Sequence, residues 1–149
     1  RYIAVATDAE ERDVLTPPAV AAALPPLALP PANHPTLLAW RKAADAHAAH
    51  PDALVLGADT VVVLGDEVLN KPTDAAHARA MLAALAGRSH TVYTGLCLLQ
   101  GDGLWLDVVA SEVQFHPLSA DTIAAYVATG ESMDKAGAYG LQGQGGSFV

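Results

Sequence analysis

An α/β fold, with helices packed on a mixed twisted sheet, is predicted by three observations. Apolar runs of strand length alternate with stretches of helical period, in the order strand, helix, hairpin, helix, hairpin, helix. Two turn signals, Gly65-Asp66 and Gly101-Asp102-Gly103, join strand-like runs into hairpins. With 149 residues, 52% of them apolar, the chain is long enough for one domain with its own core. A single domain over 1–149 is expected. Because the chain opens on Arg1 and stops just after a glycine cluster, it is expected to be incomplete at one or both ends.

Charge and cysteine usage narrow the function classes. A net charge of −8 argues against a nucleic-acid or anionic-membrane surface, which needs clustered Lys and Arg. An anionic small substrate stays open if the few cations converge, or if a divalent cation neutralises it. The one cysteine, Cys97, excludes an intrachain disulfide and lies in a strand-like run where an inert buried thiol is the default. With no signal-peptide pattern and no apolar run of membrane-spanning length, a cytoplasmic location is expected.

The elements follow in order. Tyr-Ile-Ala-Val-Ala at 2–6 reads as an opening strand, and Thr7 or Asp8 as the cap of a short helix in the acidic segment after it. Residues 16–35 hold seven of the ten prolines, so an extended or partly disordered surface connection is expected there. A helix is predicted over 36–50, with Leu37, Trp40, Ala44 and His47 on its inner stripe, Lys42 off it, and Arg41 and Asp45 as an i,i+4 pair. A second helix runs from about Thr73 to Ala86, burying Ala78, Met81, Leu82 and Leu85 and stopping at Gly87. Strands over 91–100 and 104–115 form a long hairpin. Ser119 caps a helix over 120–129 with Ile123, Tyr126 and Val127 inward, and 131–146 reads as a glycine-rich loop.

The stretch 54–72 is the most informative, because Asp59 interrupts the most apolar run of the chain. A carboxylate there must be paired, metal-bound or shifted in pKa, since burying it bare costs several kcal/mol. The Gly65-Asp66 turn sets Leu64 against Glu67 and, counting back, Thr60 against Lys71. Alternation puts Asp59 and Thr60 on opposite faces unless the strand kinks, which Gly57 would permit.

Other chemistries fit poorly. The glycines of 140–146 do not lead from a strand into a helix and include no Gly-Lys-Ser/Thr, which argues against a dinucleotide fold or P-loop. His47 and His50 stand at i,i+3 without a carboxylate partner of the His-Glu-x-x-His kind, and no Gly-x-Ser-x-Gly elbow is present. Asp59, Lys42, Lys71, Lys135 and Gln142 remain, and spacing alone takes them no further than a small-anion site.

Five segments in one order carry a more specific signal. They are Leu-Ala-x-x-Lys-Ala at 38–43, Gly-Ala-Asp-Thr-Val-Val at 57–62, Lys71-Pro72, Leu-Ala-Gly-Arg-Ser-His-Thr-Val-Tyr-Thr-Gly at 85–95, and Asp-Lys-Ala-Gly-Ala-Tyr-Gly-Leu-Gln-Gly at 134–143. Over 35–149 the chain resembles the Maf family, the septum-formation-inhibitor-like nucleoside triphosphate pyrophosphatases, nearest to its dTTP/UTP subgroup. The resemblance implies an inosine-triphosphatase-like fold with a nucleotide cleft. It further implies hydrolysis between the α and β phosphates, yielding a monophosphate and pyrophosphate with a divalent cation, Mg or Mn. Asp59 resembles the catalytic residue that activates water, and Lys42 and Lys71 resemble phosphate-binding residues. Thr60 and Gln142 match positions that help select a pyrimidine base. Lys135 falls in the last matching segment and joins the substrate-binding candidates. A homodimer is implied by the same analogy. One departure stands out: family members open on a strand and Ser-x-Ser-Pro-Arg-Arg, whereas 5–12 reads Val-Ala-Thr-Asp-Ala-Glu-Glu-Arg, keeping only Thr7 and Arg12. Acids in place of arginines repel a triphosphate. The departure therefore also implies an alternative, a catalytically impaired member that binds nucleotide or a cell-division-linked partner.

Overall fold

Among the described residues, four strands and four α-helices organise the fold. In the computed structural model, residues 2–9 and 15–149 are described. The strands β1 (Val55–Leu64), β2 (Glu67–Leu69), β3 (Ser89–Gln100) and β4 (Gly103–Gln114) form an antiparallel sheet in the order β2-β1-β3-β4. The helices are α1 (Pro18–Ala23), α2 (Pro35–Ala49), α3 (Ala75–Leu85) and α4 (Ala120–Ala128). The α/β class is as expected. The chain divides into two compact units, Arg1–Thr60 with Thr94–Val109, and Val61–Tyr93 with Ala110–Val149.

In the first unit the core is built on α2, with Leu37, Ala39, Trp40, Ala43, Cys97 and Val20 buried together. The helix buries Thr36, Ala39 and Ala43 more deeply than the expected Ala44 and His47. Small residues there admit close backbone approach, and a β-carbon on Gly95 would lie 2.1 Å from the Thr36 nitrogen. The proline-rich stretch is not wholly extended. Pro18 occupies a first-turn position, where its missing N–H costs nothing, and Pro-Ala-Val-Ala-Ala-Ala makes one short helix that buries Val20. The expected opening strand does not form: residues 2–6 stand outside the sheet, with Tyr2 92% and Ile3 81% exposed. Strand propensity without a partner ladder is insufficient. The acidic segment expected to form a short helix falls mostly at 10–14, outside the described residues.

The second unit follows its periodicities closely. Asp74 caps α3, accepting from the His77 N–H at 2.8 Å, and Ala78, Met81, Leu82 and Leu85 are its buried residues. Ser119 caps α4 by accepting from the Thr122 N–H at 3.1 Å, and Ile123, Tyr126 and Val127 point inward. The hairpin register is as read, with Leu64 opposite Glu67 and Val62 opposite Leu69. A set of edge-to-face rings, His90, Phe115, Tyr139, Phe148 and Tyr126, closes the core. The expected loop of 131–146 carries two 3₁₀ turns, Ala136–Ala138 and Gln144–Phe148.

Candidate active site

In the first unit, alternation along β1 places Val55, Gly57 and Asp59 on one face, with Leu56, Ala58 and Thr60 on the other. Gly57 lies against α2: a β-carbon there would sit 2.2 Å from the Ala39 carbonyl oxygen and 2.9 Å from Ala43 Cβ. The expectation that Gly57 permits a kink is therefore corrected, since its lack of a side chain serves close helix–strand packing and the alternation runs on through Thr60. At this approach Lys42, beside Ala43, reaches the strand, and its Nζ donates to Asp59 Oδ1 at 2.7 Å. The two side chains are 25% and 12% exposed, so the pair is largely sheltered from water. Charge-assisted bonds of this kind are about twice as strong as neutral ones. On the opposite face, Thr60 Oγ1 shares a hydrogen bond with Thr94 Oγ1 at 3.0 Å.

The other candidates belong to the second unit. The β1–β2 ladder ends at Val62 and Leu69, so the expected pairing of Thr60 with Lys71 is not part of it, and Lys71 follows the strand in an exposed position. Lys135 Nζ donates to Asp134 Oδ1 at 2.7 Å. That hydrogen bond and the Lys135 charge hold the Asp134 carboxyl below the usual carboxylate range, with a smaller contribution from Lys71. The two lysines thus act on one exposed carboxylate. Gln142 is exposed in a turn closed by the Gly143 N–H donating to the Gly140 carbonyl at 3.2 Å.

Three residues with side-chain contacts in these regions were not singled out by sequence reasoning: Thr94, Asp134 and Glu131. Thr94 and Asp134 lie inside segments that had already been matched to the family, so their signal was present. Glu131 had none: it accepts from the backbone N–H groups of Gln144 and Gly145 and from the Tyr126 hydroxyl, partners with no sequence signature. Of the remnant of the basic loop, Arg12 lies outside the described residues. Thr7 donates to Asp45 Oδ2 at 2.5 Å and accepts from the Ala9 N–H at 3.1 Å. Cys97 is fully buried, and burial pushes its thiol up to about 11, which makes it a poor nucleophile. Among the described residues no three His, Cys, Asp or Glu side chains are grouped to hold a metal ion, and no helix is long and apolar enough to cross a membrane.

Fold and site together define an α/β protein with a sheltered carboxylate–ammonium pair at a helix–strand contact. Residues 7–149 match the family described as Maf-like protein, and the chain belongs to that family. It is similar to a dTTP/UTP pyrophosphatase of Symbiobacterium thermophilum, 51% identical over 122 residues, which cover 80% of this chain and 61% of the relative. Similar proteins of the same name occur in Pectobacterium atrosepticum, 51% identical over 75% of this chain and 57% of the relative, and in Moorella thermoacetica, 50% identical over 81% and 63%. The chain thus spans less than two thirds of the length of the curated relatives it matches.

Proposed function

We propose that the chain hydrolyses dTTP, UTP or modified pyrimidine nucleoside triphosphates to the monophosphate and pyrophosphate. The observation that carries this reading is the 2.7 Å contact between Lys42 and Asp59, sheltered at the α2–β1 contact. Asp59 takes a proton from water as its oxygen attacks the α-phosphorus, and the bond to the bridging oxygen of the β-phosphate breaks to release pyrophosphate. Lys42 fixes the orientation of the Asp59 carboxylate, and Lys42, Lys71 and Lys135 are each carried over as substrate-binding residues from the family resemblance. Thr60 and Gln142 contribute to base selection in this reading. The names of the similar proteins support the substrate class.

A divalent cation, Mg or Mn, belongs to the proposal. Asp59 is a suitable oxygen donor for it. When bound, it would neutralise charge on the triphosphate. A homodimer and a cytoplasmic location complete the reading.

A second reading, a member that binds nucleotide or a division-linked partner without turnover, is favoured by one observation. The Thr7 hydroxyl, in the segment where the family resemblance implies a basic loop, donates to Asp45. A panel of triphosphates scored for pyrophosphate release, with and without Mg or Mn, separates the two. Turnover of dTTP or UTP that falls at least about a hundredfold in Asp59→Asn is expected. Equal turnover in that variant would remove Asp59 from the mechanism, and binding without product would favour the second reading.

A further inference from the structure

The loop that presents Gln142 is held by a carboxylate outside it. Glu131 stands three residues beyond α4, and its Oε2 accepts from the Gln144 N–H at 3.1 Å while its Oε1 accepts from the Gly145 N–H at 3.3 Å. The Tyr126 hydroxyl, projecting from α4, donates to the same Oε1 at 3.1 Å and ties the carboxylate to a regular element. These two N–H groups open the 3₁₀ turn Gln144–Phe148, where backbone donors lack partners within the turn. Immediately before them is the turn 140–143, with Gln142 at its third position. A β-carbon at Gly143 would lie 2.1 Å from Glu131 Oε1, so a side chain there would have to displace the carboxylate. Its φ of −106° is one that any residue adopts, so a side chain at 143 would disturb the carboxylate and not the backbone.

We propose that Glu131 is a positioning residue: by clasping the backbone at Gln144 and Gly145 it fixes the 140–143 turn and thereby the direction in which Gln142 is presented to a base. The proposal rests on the reading of Gln142 as a base-selecting residue. Glu131 touches neither water nor phosphate in this account, so its loss acts on recognition and leaves the hydrolytic step itself in place. The carboxylate sits below the usual range chiefly because it accepts the Gln144 N–H, which keeps it an acceptor at neutral pH.

Two measurements on the whole chain test the clasp. Amide exchange of Gln144 and Gly145 reads it whatever the loop binds. Glu131→Gln, which replaces one acceptor oxygen by a donor, is expected to accelerate that exchange by roughly tenfold or more. Unchanged exchange overturns the proposal. The ratio of kcat/KM for dTTP to that for a purine triphosphate reads the consequence. It is expected to fall in Glu131→Gln through a higher KM for dTTP, with kcat within about twofold. Gly143→Ala, which drives a methyl into the carboxylate, is expected to give the same fall, and the double variant Glu131→Ala/Gly143→Ala is expected to be no worse than Glu131→Ala or Gly143→Ala alone. An additive double variant, or a ratio that stays put in Glu131→Gln while collapsing in Gln142→Ala, overturns the proposal. If Gln142→Ala itself leaves the ratio untouched, the assignment of Gln142 fails, and the clasp is judged on exchange alone.

Discussion

Asp59 and Glu131 are the two carboxylates on which the proposals depend, and they are held by opposite means. Asp59 is placed by regular elements: β1 alternates, Gly57 lets α2 approach, and the buried Ala39 and Ala43 fix the distance before any charge is considered. Its bond to Lys42 is laid on a scaffold that apolar packing has already set. Glu131 sits where no strand or long helix dictates the path, and its hydrogen bonds to Tyr126, Gln144 and Gly145 are themselves the scaffold. In the first unit, then, geometry comes before the ion pair. In the second, the carboxylate makes the geometry.

The most direct way to break this contrast is to remove the scaffold beneath Asp59. Gly57→Ala puts a methyl 2.2 Å from a helix carbonyl oxygen, a contact with backbone that no side-chain rotation relieves. Overpacking of this kind costs about 1–3 kcal/mol, and the upper end is expected because α2 and β1 must separate. Chemical denaturation measures the loss. A cost under about 0.5 kcal/mol would mean that helix and strand are not pressed together and that Asp59 depends on its ion pair after all.

Sharpening the contrast requires removing the charge and keeping the scaffold. Lys42→Met preserves length and apolar stem but takes the ammonium from Asp59. Breaking a fully buried pair costs about 3–5 kcal/mol. With the two side chains 25% and 12% exposed, water repays part of that, and about 1–3 kcal/mol is expected. Asp59→Asn, whose amide oxygen still accepts from Lys42, is expected to cost less stability than Lys42→Met, despite the larger expected loss of activity. Equal destabilisation by the two would show that the pair is worth little and that the surrounding packing carries the site.

What could be read from the residues follows the same division. Periodicity and caps gave α3, α4 and their buried faces, because those depend on neighbours three and four positions away. The Gly65-Asp66 turn gave the β1–β2 register because a two-residue loop fixes it. The partnership of Lys42 and Asp59, 17 positions apart, was not legible in spacing; only the family resemblance put the two in one site. Residues 2–6 misled for the converse reason, since pairing of strands is non-local and a strand-like composition cannot supply its own partner. Proline density obscured α1, although proline at a first-turn position favours a helix. Glu131 was invisible because its partners 13 and 14 positions on are backbone donors, which every residue but proline carries.

The smallest effect expected lies in the core of the second unit and tests whether its order extends beyond the clasp. His90 is 3% exposed, 2.7 Å from the Tyr139 hydroxyl, and edge-on to Phe115. Burial lowers its pKa below the ordinary 6.5, and burial raises that of Tyr139 to about 12, so both are neutral in the fold near pH 7. A depressed folded pKa means that the unfolded chain binds the proton first. The stability that His90 confers is complete above about pH 6.5, falls as pH drops from there toward the folded pKa, and is level below it. The size of the loss follows the depth of that depression. It should vanish in His90→Gln, whose amide can still bond Tyr139 but does not titrate in this range. Melting temperatures from pH 7.5 to 5 measure it, taken as the difference between the two proteins so that carboxylates titrating in both cancel. A difference that stays constant across that range would mean that His90 takes up its proton within the folded core as readily as in water, and that the ring cluster is more open to solvent than the contacts of His90 with Phe115 and Tyr139 imply.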